Sequence, residues 1–278
     1  MKTALWAVLA AISLLLVNEP GRGQDAQSPS PAATELRALV GRIQAKLKEA
    51  HGSPPTEADL ANELTAFDDL LAKHQGEKTD DVAQILYMKA LLYRQVLNNS
   101  AKAEELEAKL TSDFPDTKAA KHIQQQAESE KIRKALAVGT KFPDFNEKDL
   151  EGNPLSIANY KGKVVLIDFW ATWCGPCVGE LPNVIKTYQK HHDQGFEIIG
   201  ISLDREGDLA KLKSFLQQKN MTWKQFYDGK WWQNKLATRY GVESIPATYL
   251  LDGEGKIIGK DLRGELLEEA VTKALSKS

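Results

Sequence analysis

An all-α half followed by an α/β half is the architecture predicted for this 278-residue chain, which is longer than one domain usually needs. Two observations carry the prediction. From residue 34 to 137 apolar side chains recur at helical spacing. After Val138-Gly139 the pattern changes to short β-rich runs alternating with helical ones, the signature of an α/β sheet.

The chain opens with Met1-Lys2, an apolar run over residues 4–17, and then Pro20-Gly21-Arg22-Gly23. This predicts a secretory signal peptide at 1–23. A run of about 14 apolar residues is short for ~30 Å of hydrocarbon, so cleavage near Gln24 is expected over permanent anchoring, with an uncleaved membrane anchor as the alternative. Residues 24–33 are polar with two prolines and read as a flexible leader.

The helical domain is predicted over 34–137. A first helix places Leu36, Leu39, Val40, Ile43 and Leu47 on one face and ends at Pro54-Pro55. Thr56, with Asp59 three residues on, opens a second, carrying Leu60, Leu64, Phe67 and Leu71. Thr79 begins a third, closed by Asn98-Asn99; a fourth spans 101–111 and a fifth 118–136. The third and fourth, followed by Phe114-Pro115-Asp116, resemble a tetratricopeptide hairpin over barely one repeat. A plain bundle is the preferred reading, with partner docking or self-association through this domain as the other.

For 138–278, strands are predicted at 142–145, 164–170, 196–203, 247–251 and 256–262, and helices at 174–191, 209–219, 231–240 and 265–275. Asp252-Gly-Glu-Gly255 reads as a hairpin turn, which makes the last two strands antiparallel.

With 36 basic and 38 acidic side chains the net charge is −2, so there is no field for holding nucleic acid. The two cysteines stand together in Cys174-Gly-Pro-Cys177. A bridge closing so small a loop adds little chain-entropy stabilisation, so the pair is chemical rather than structural. It follows a buried strand and a tight turn, and Cys174 starts a helix. There its sulfur meets unpaired N–H groups and the positive end of the helix dipole, which favours the nucleophilic thiolate. Pro176 suits the first turn, where no N–H is needed. Cys174 therefore attacks and Cys177 resolves.

No metal or cofactor is expected. A zinc site would need a second cysteine pair, and His191-His192 lies a full helix away; haem attachment would need a histidine where Val178 stands. Two rivals are a redoxin-type thiol peroxidase, which would carry threonine in the turn before its nucleophile, and a partner-binding module with a redox-silent domain.

Asp168-Phe-Trp-Ala-x-Trp-Cys-Gly-Pro-Cys177 is similar to the active-site sequence of the thioredoxin superfamily. The longer context resembles the exported TlpA/ResA-like branch, with its redoxin (AhpC/TSA-like) domain. The features are Lys161-Gly-Lys163, Cys177-x-x-Glu180-Leu-Pro182, Gly200-Ile-Ser-Leu-Asp204, and Gly241-Val-x-x-Ile-Pro246-Ala-Thr followed by Asp252-Gly. The resemblance covers residues 138–278 and implies a thioredoxin-like fold. By the same resemblance Pro246 is the cis-proline opposite the active-site disulfide, and Ile245 offers its backbone to a substrate. Trp173 shields one side of Cys174, while Trp170 is equally open to simple packing. Asp168 matches the buried acid beneath the second cysteine, where burial raises a carboxyl pKa and suits it to take the Cys177 proton. Members of the exported branch often lack that acid and carry one at Glu180. The activity implied is that of an exported, periplasmic thiol–disulfide oxidoreductase reducing disulfides of partner proteins, often apocytochromes c, with a membrane electron donor. The Trp231-Trp232 pair reads as core packing first and as a hydrophobic rim for partners second.

Overall fold

The computed structural model describes residues 29–49 and 55–276. The predicted signal segment and most of the predicted leader lie outside the described residues. The chain divides into two compact units, 1–126 and 127–278. Among the described residues no helix is long and apolar enough to cross a membrane.

In the first unit, helix α1 (Pro31–Glu49) is capped by Ser30, whose Oγ accepts the Ala33 N–H at 3.1 Å. Proline in the first turn lacks only an N–H that has no helical partner there. The helix thus claims residues 31–33 from the predicted leader, because this cap and the burial of Ala32 outweigh polar composition. Its buried face runs Leu36, Leu39, Val40, Ile43 and Leu47, the spacing of an amphipathic helix. Thr56 and Asp59 cap each other, the Thr56 N–H reaching Asp59 Oδ2 at 2.8 Å and the Asp59 N–H reaching Thr56 Oγ1 at 3.3 Å. Residues 57–60 are turns, however, and regular helix α2 spans Ala61–Lys73.

Helix α3 (Asp80–Gln95), capped by the Thr79 side chain, is buried on almost every side from Val82 to Tyr93 and forms the centre of the bundle. Its one buried cation, Lys89, meets Asp68 at 2.6 Å. Helix α4 (Ser100–Asp113) is capped by Asn99. Helix α5 (Lys118–Ala135) contributes Ala119 and Ala120 to the first core, whereas Leu136, just past its end, belongs to the second. The two compact units part inside α5, while the change of pattern after Val138-Gly139 marks where the helical run stops.

The second unit is built on a five-stranded sheet of order β5-β4-β3-β6-β7, comprising β3 (Val164–Trp170), β4 (Phe196–Ser202), β5 (Lys224–Tyr227), β6 (Ala247–Leu251) and β7 (Ile257–Lys260). A separate two-stranded ladder, β1 (Glu147–Lys148) with β2 (Pro154–Leu155), precedes it. Strand β3 is central, parallel to β4 and antiparallel to β6. Every residue of it is buried, which is why it reads as an apolar run broken only by Asp168 and not as an alternating one. This is the thioredoxin-like arrangement expected. Helix α6 (Gly175–His191) links β3 to β4, α7 (Leu209–Gln218) links β4 to β5, and α9 (Glu265–Leu275) closes the chain against α6.

Two predicted elements differ, and one strand is additional. Residues 142–145 are not a strand: Phe142 and Phe145 are buried anchors, but Pro143 has no N–H to donate and only Lys141 bridges Lys256. Strand β5 was not predicted, since an edge strand of four residues containing Lys224 and Gln225 carries no apolar alternation. The helix predicted at 231–240 is broken into a 3-10 turn, Trp231–Gln233, and a short α8, Lys235–Arg239. Asn234 divides them. Its side-chain oxygen accepts the N–H groups of Leu236 and Ala237, so it caps a new helix instead of continuing the old one. The Asp252–Gly255 turn forms as predicted, with Asp252 Oδ1 accepting from Glu254 and Lys256 and Gly255 at φ +78°.

Candidate active site

The end of β3 delivers the chain into a turn, Ala171 to Trp173, that is anchored to the end of β4. Thr172 donates its N–H to both oxygens of Asp204 at 3.2 Å and its hydroxyl at 2.6 Å. Ser202 Oγ adds a bond at 2.8 Å, and the Trp173 indole donates to the Leu203 carbonyl at 3.2 Å. Trp170 is buried and donates to Gln225 Oε1 at 3.0 Å, a packing role. Gly200, across from Asp168, has no space for a Cβ because the Gln225 side chain lies over it.

Cys174 sits as the N-cap of α6, its sulfur accepting the Cys177 N–H at 3.2 Å, with Pro176 in the first turn. The two sulfurs are joined at 2.00 Å, with Cα atoms 5.2 Å apart. Both cysteines are nearly covered, Cys174 at 5% exposed and Cys177 at 3%. Cys174 Sγ lies 3.8 Å from the Ile245 carbonyl oxygen, and the Ile245–Pro246 bond is cis. The structure thus brings Cys174, Cys177, Ile245 and Pro246 into one place from chain positions some 70 residues apart.

Asp168 lies on β3, opposite Thr248 of β6, and is 5% exposed. Burial pushes its carboxyl up to about 7; the Arg263 charge pulls it down and the Glu180 charge pushes it up. Glu180 is half-buried and Oε1 accepts the Gly264 N–H at 2.5 Å and the Asn183 amide at 3.3 Å. It therefore also ties α6 to the first turn of α9, Gly264 being the N-cap of that helix. Trp173 is 39% exposed, in ring contact with Trp231 and Trp232. Trp231 is not core: it is 38% exposed, at φ +53°, with the Arg205 guanidinium 4.2 Å from its ring centre. Only Trp232 leans on the core.

Two residues with consequences for the site were not singled out from the sequence. Asp204 closes the Gly200-Ile-Ser-Leu-Asp204 motif just past the predicted strand, where the sequence gives it no role of its own; it is fully buried and holds the turn before Cys174. Arg263 follows a segment predicted as strand, and nothing local signals that it faces the proline loop. Removing the Asp204 carboxylate strands the Thr172 N–H and two hydroxyls without their acceptor. Asp204→Ala is expected to lose about 2–4 kcal/mol in urea unfolding, whereas Asp204→Asn, which keeps one acceptor oxygen, loses less. Equal stability of Asp204→Ala and wild type would refute the anchoring role.

Residues 138–260 match the AhpC/TSA family. A thiol-disulfide oxidoreductase ResA of Bacillus thuringiensis subsp. konkukian is 34% identical over 142 residues, spanning 51% of this chain and 79% of that protein. The ResA of Geobacillus thermodenitrificans is 33% identical over 141 residues, spanning 51% and 78%. Among solved structures, the thioredoxin domain of a thiol-disulfide oxidoreductase from Bacteroides vulgatus is 38% identical, with a TM-score of 0.45, covering 50% of this chain and 97% of that one.

Proposed function

We propose how this chain, which belongs to the family of ResA-type thiol–disulfide oxidoreductases, carries that activity with its own residues. Its substrates are dithiols and disulfides of proteins. The direction we infer is reduction of partner disulfides, outside the cytoplasm. The signal-like segment at 1–23 supports export, and the Gly-Pro between the cysteines, as in thioredoxin, supports a reductant. The observation that carries the reading is the Cys174–Cys177 pair at the N-terminus of α6, with the Ile245 carbonyl against the Cys174 sulfur.

In the reduced protein the Cys174 thiolate, stabilised by the Cys177 N–H and the helix terminus, attacks one sulfur of a partner disulfide. The partner S–S bond breaks, a Cys174–partner bond forms, and the first partner sulfur leaves as a thiolate. Cys177 then gives its proton to Asp168. A carboxyl at about 7 is divided between acid and base at neutral pH and can accept it. The Cys177 thiolate attacks Cys174, closing the internal disulfide and releasing the second partner sulfur. Two electrons pass to the partner, and a dithiol donor, which we place at the membrane, restores the couple. Trp173 and the backbone of Ile245 and Pro246 form the surface on which the partner segment lies. Glu180 acts through its charge on Asp168 and its bond to Gly264.

The test is a redox titration of the Cys174–Cys177 couple against glutathione or dithiothreitol buffers. A midpoint near roughly −270 mV, as for thioredoxin, supports the reductase. A midpoint near roughly −120 mV, that of a strong oxidant of the same fold, overturns the direction.

A further inference from the structure

The loop between β7 and α9 carries a side chain that the reaction just described does not use. The Arg263 side chain is 31% exposed; its guanidinium makes three hydrogen bonds and also lies 4.0 Å from Asp261 Oδ1 at the surface. Nη2 donates to the Pro246 carbonyl at 2.7 Å; Nη1 donates to Thr248 Oγ1 at 3.0 Å and to the Leu262 carbonyl at 2.8 Å. Two of these acceptors belong to the cis-proline segment at the start of β6. Thr248, moreover, stands directly opposite Asp168 in the antiparallel β3–β6 pairing, so both side chains leave the sheet on the same face. One cation therefore reaches the substrate-facing backbone and the neighbourhood of the buried acid together. Thr248 is further fixed by Asp261, whose N–H donates to the Thr248 carbonyl at 2.9 Å.

We propose that Arg263 is a positioning residue that clamps the Pro246 carbonyl and the Thr248 hydroxyl, setting the Ile245–Pro246 edge against Cys174 for the partner segment, and places its charge beside Asp168. The proposal rests on the reading that Ile245 and Pro246 meet the partner and that Asp168 takes the Cys177 proton. A planar fork with donors in three directions is needed for the clamp, whereas any fixed cation supplies the charge. The two roles are therefore separable. The charged groups acting on Asp168 are Arg263 from this loop and Glu180 from α6. Arg263 opposes both burial and Glu180, the two influences that keep Asp168 protonated.

The experiment uses the full chain as Arg263→Lys and Arg263→Met, beside wild type and Asp168→Asn, with a disulfide-containing peptide as substrate. It reads KM for the peptide and, by stopped-flow tryptophan fluorescence, the pH midpoint of the resolution step. Arg263→Met is expected to raise KM about tenfold, the effect of losing a charge-assisted hydrogen bond, and to move the midpoint up by about half a pH unit or more. Arg263→Lys is expected to raise KM similarly while returning the midpoint toward wild type. A structural loop residue would show neither the shifted midpoint nor its rescue by lysine. Wild-type KM and midpoint in Arg263→Met overturn the proposal. Should that variant not fold, Arg263→Lys decides: raised KM with the midpoint kept supports the clamp, and unchanged KM overturns it. If Asp168→Asn leaves the wild-type midpoint in place, the proton-acceptor reading fails, and the clamp is judged on KM alone.

Discussion

Cys177→Ala is expected to convert the protein from a turnover enzyme into a trap. Cys174 remains at the head of α6, beside the Ile245 carbonyl, and can still attack a partner disulfide. What is lost is the second sulfur, held one helical turn away. Its attack on the mixed disulfide is intramolecular, and the effective concentration this supplies has no counterpart in solution. Turnover on a protein disulfide should fall by about 10³-fold or more, with covalent adducts resolved on non-reducing gels. Cys174→Ala should turn over as poorly but hold few partners. Cys177 is the more covered of the two, at 3% exposed, and is not the sulfur that lies against the Ile245 edge. Adducts in equal amount from both variants would show that the attacking sulfur is wrongly assigned, and none from either would remove the mixed disulfide from the mechanism.

For Asp168→Asn the expectation concerns both rate and stability. Resolution of the mixed disulfide at neutral pH should slow, while the initial attack by Cys174 changes little. Equal slowing of both steps would exclude Asp168 as the group that takes the Cys177 proton. The stability effect follows from the same carboxyl. Its folded pKa, about 7, is raised above the unfolded value of about 3.9 by burial, so folding favours the protonated form. The stability this confers is fully present below about pH 4 and is lost as pH rises to about 7, a change on the order of 4 kcal/mol at 1.36 kcal/mol per unit. Asparagine removes this slope, though its unpaired amide costs something at every pH. Urea unfolding of the oxidised protein at pH 4 and pH 8 should therefore show a large pH effect in wild type and a small one in the variant. The same slope in both proteins would mean that Asp168 ionises as freely folded as unfolded.

Much of the protein was legible from local pattern. The five apolar positions of α1 from Leu36 to Leu47, the all-buried run of β3 and the Asp252–Gly255 turn are each dictated by neighbours within a few residues, and they stand where their periods and turn residues put them. Cys174 at a helix start was equally local, since strand, tight turn and Cys-x-x-Cys are contiguous. The edges were less legible. Strand β5 owes its existence to the open side of β4, which supplies the hydrogen bonds that its own composition does not announce. The break at Asn234 turns on a cap competing with a helix that the apolar spacing alone would continue.

What the sequence by itself determined is therefore the chemistry available: two cysteines at the head of a helix, an acid in a buried strand, a proline set in a family pattern. Tertiary structure alone decided how those groups are tuned. Asp204 reaches Thr172 across 32 positions, Arg263 reaches Pro246 across 17, and Gly264 meets Glu180 across 84. Such bonds exist only once the sheet has brought separate segments together. The pKa of Asp168 likewise depends on the water excluded by the folded sheet and on charges delivered from α6 and from the loop before α9. Hydrophobic period and turn chemistry act between near neighbours and can be read along a chain; desolvation and charge act through space, and have no value until the chain has folded.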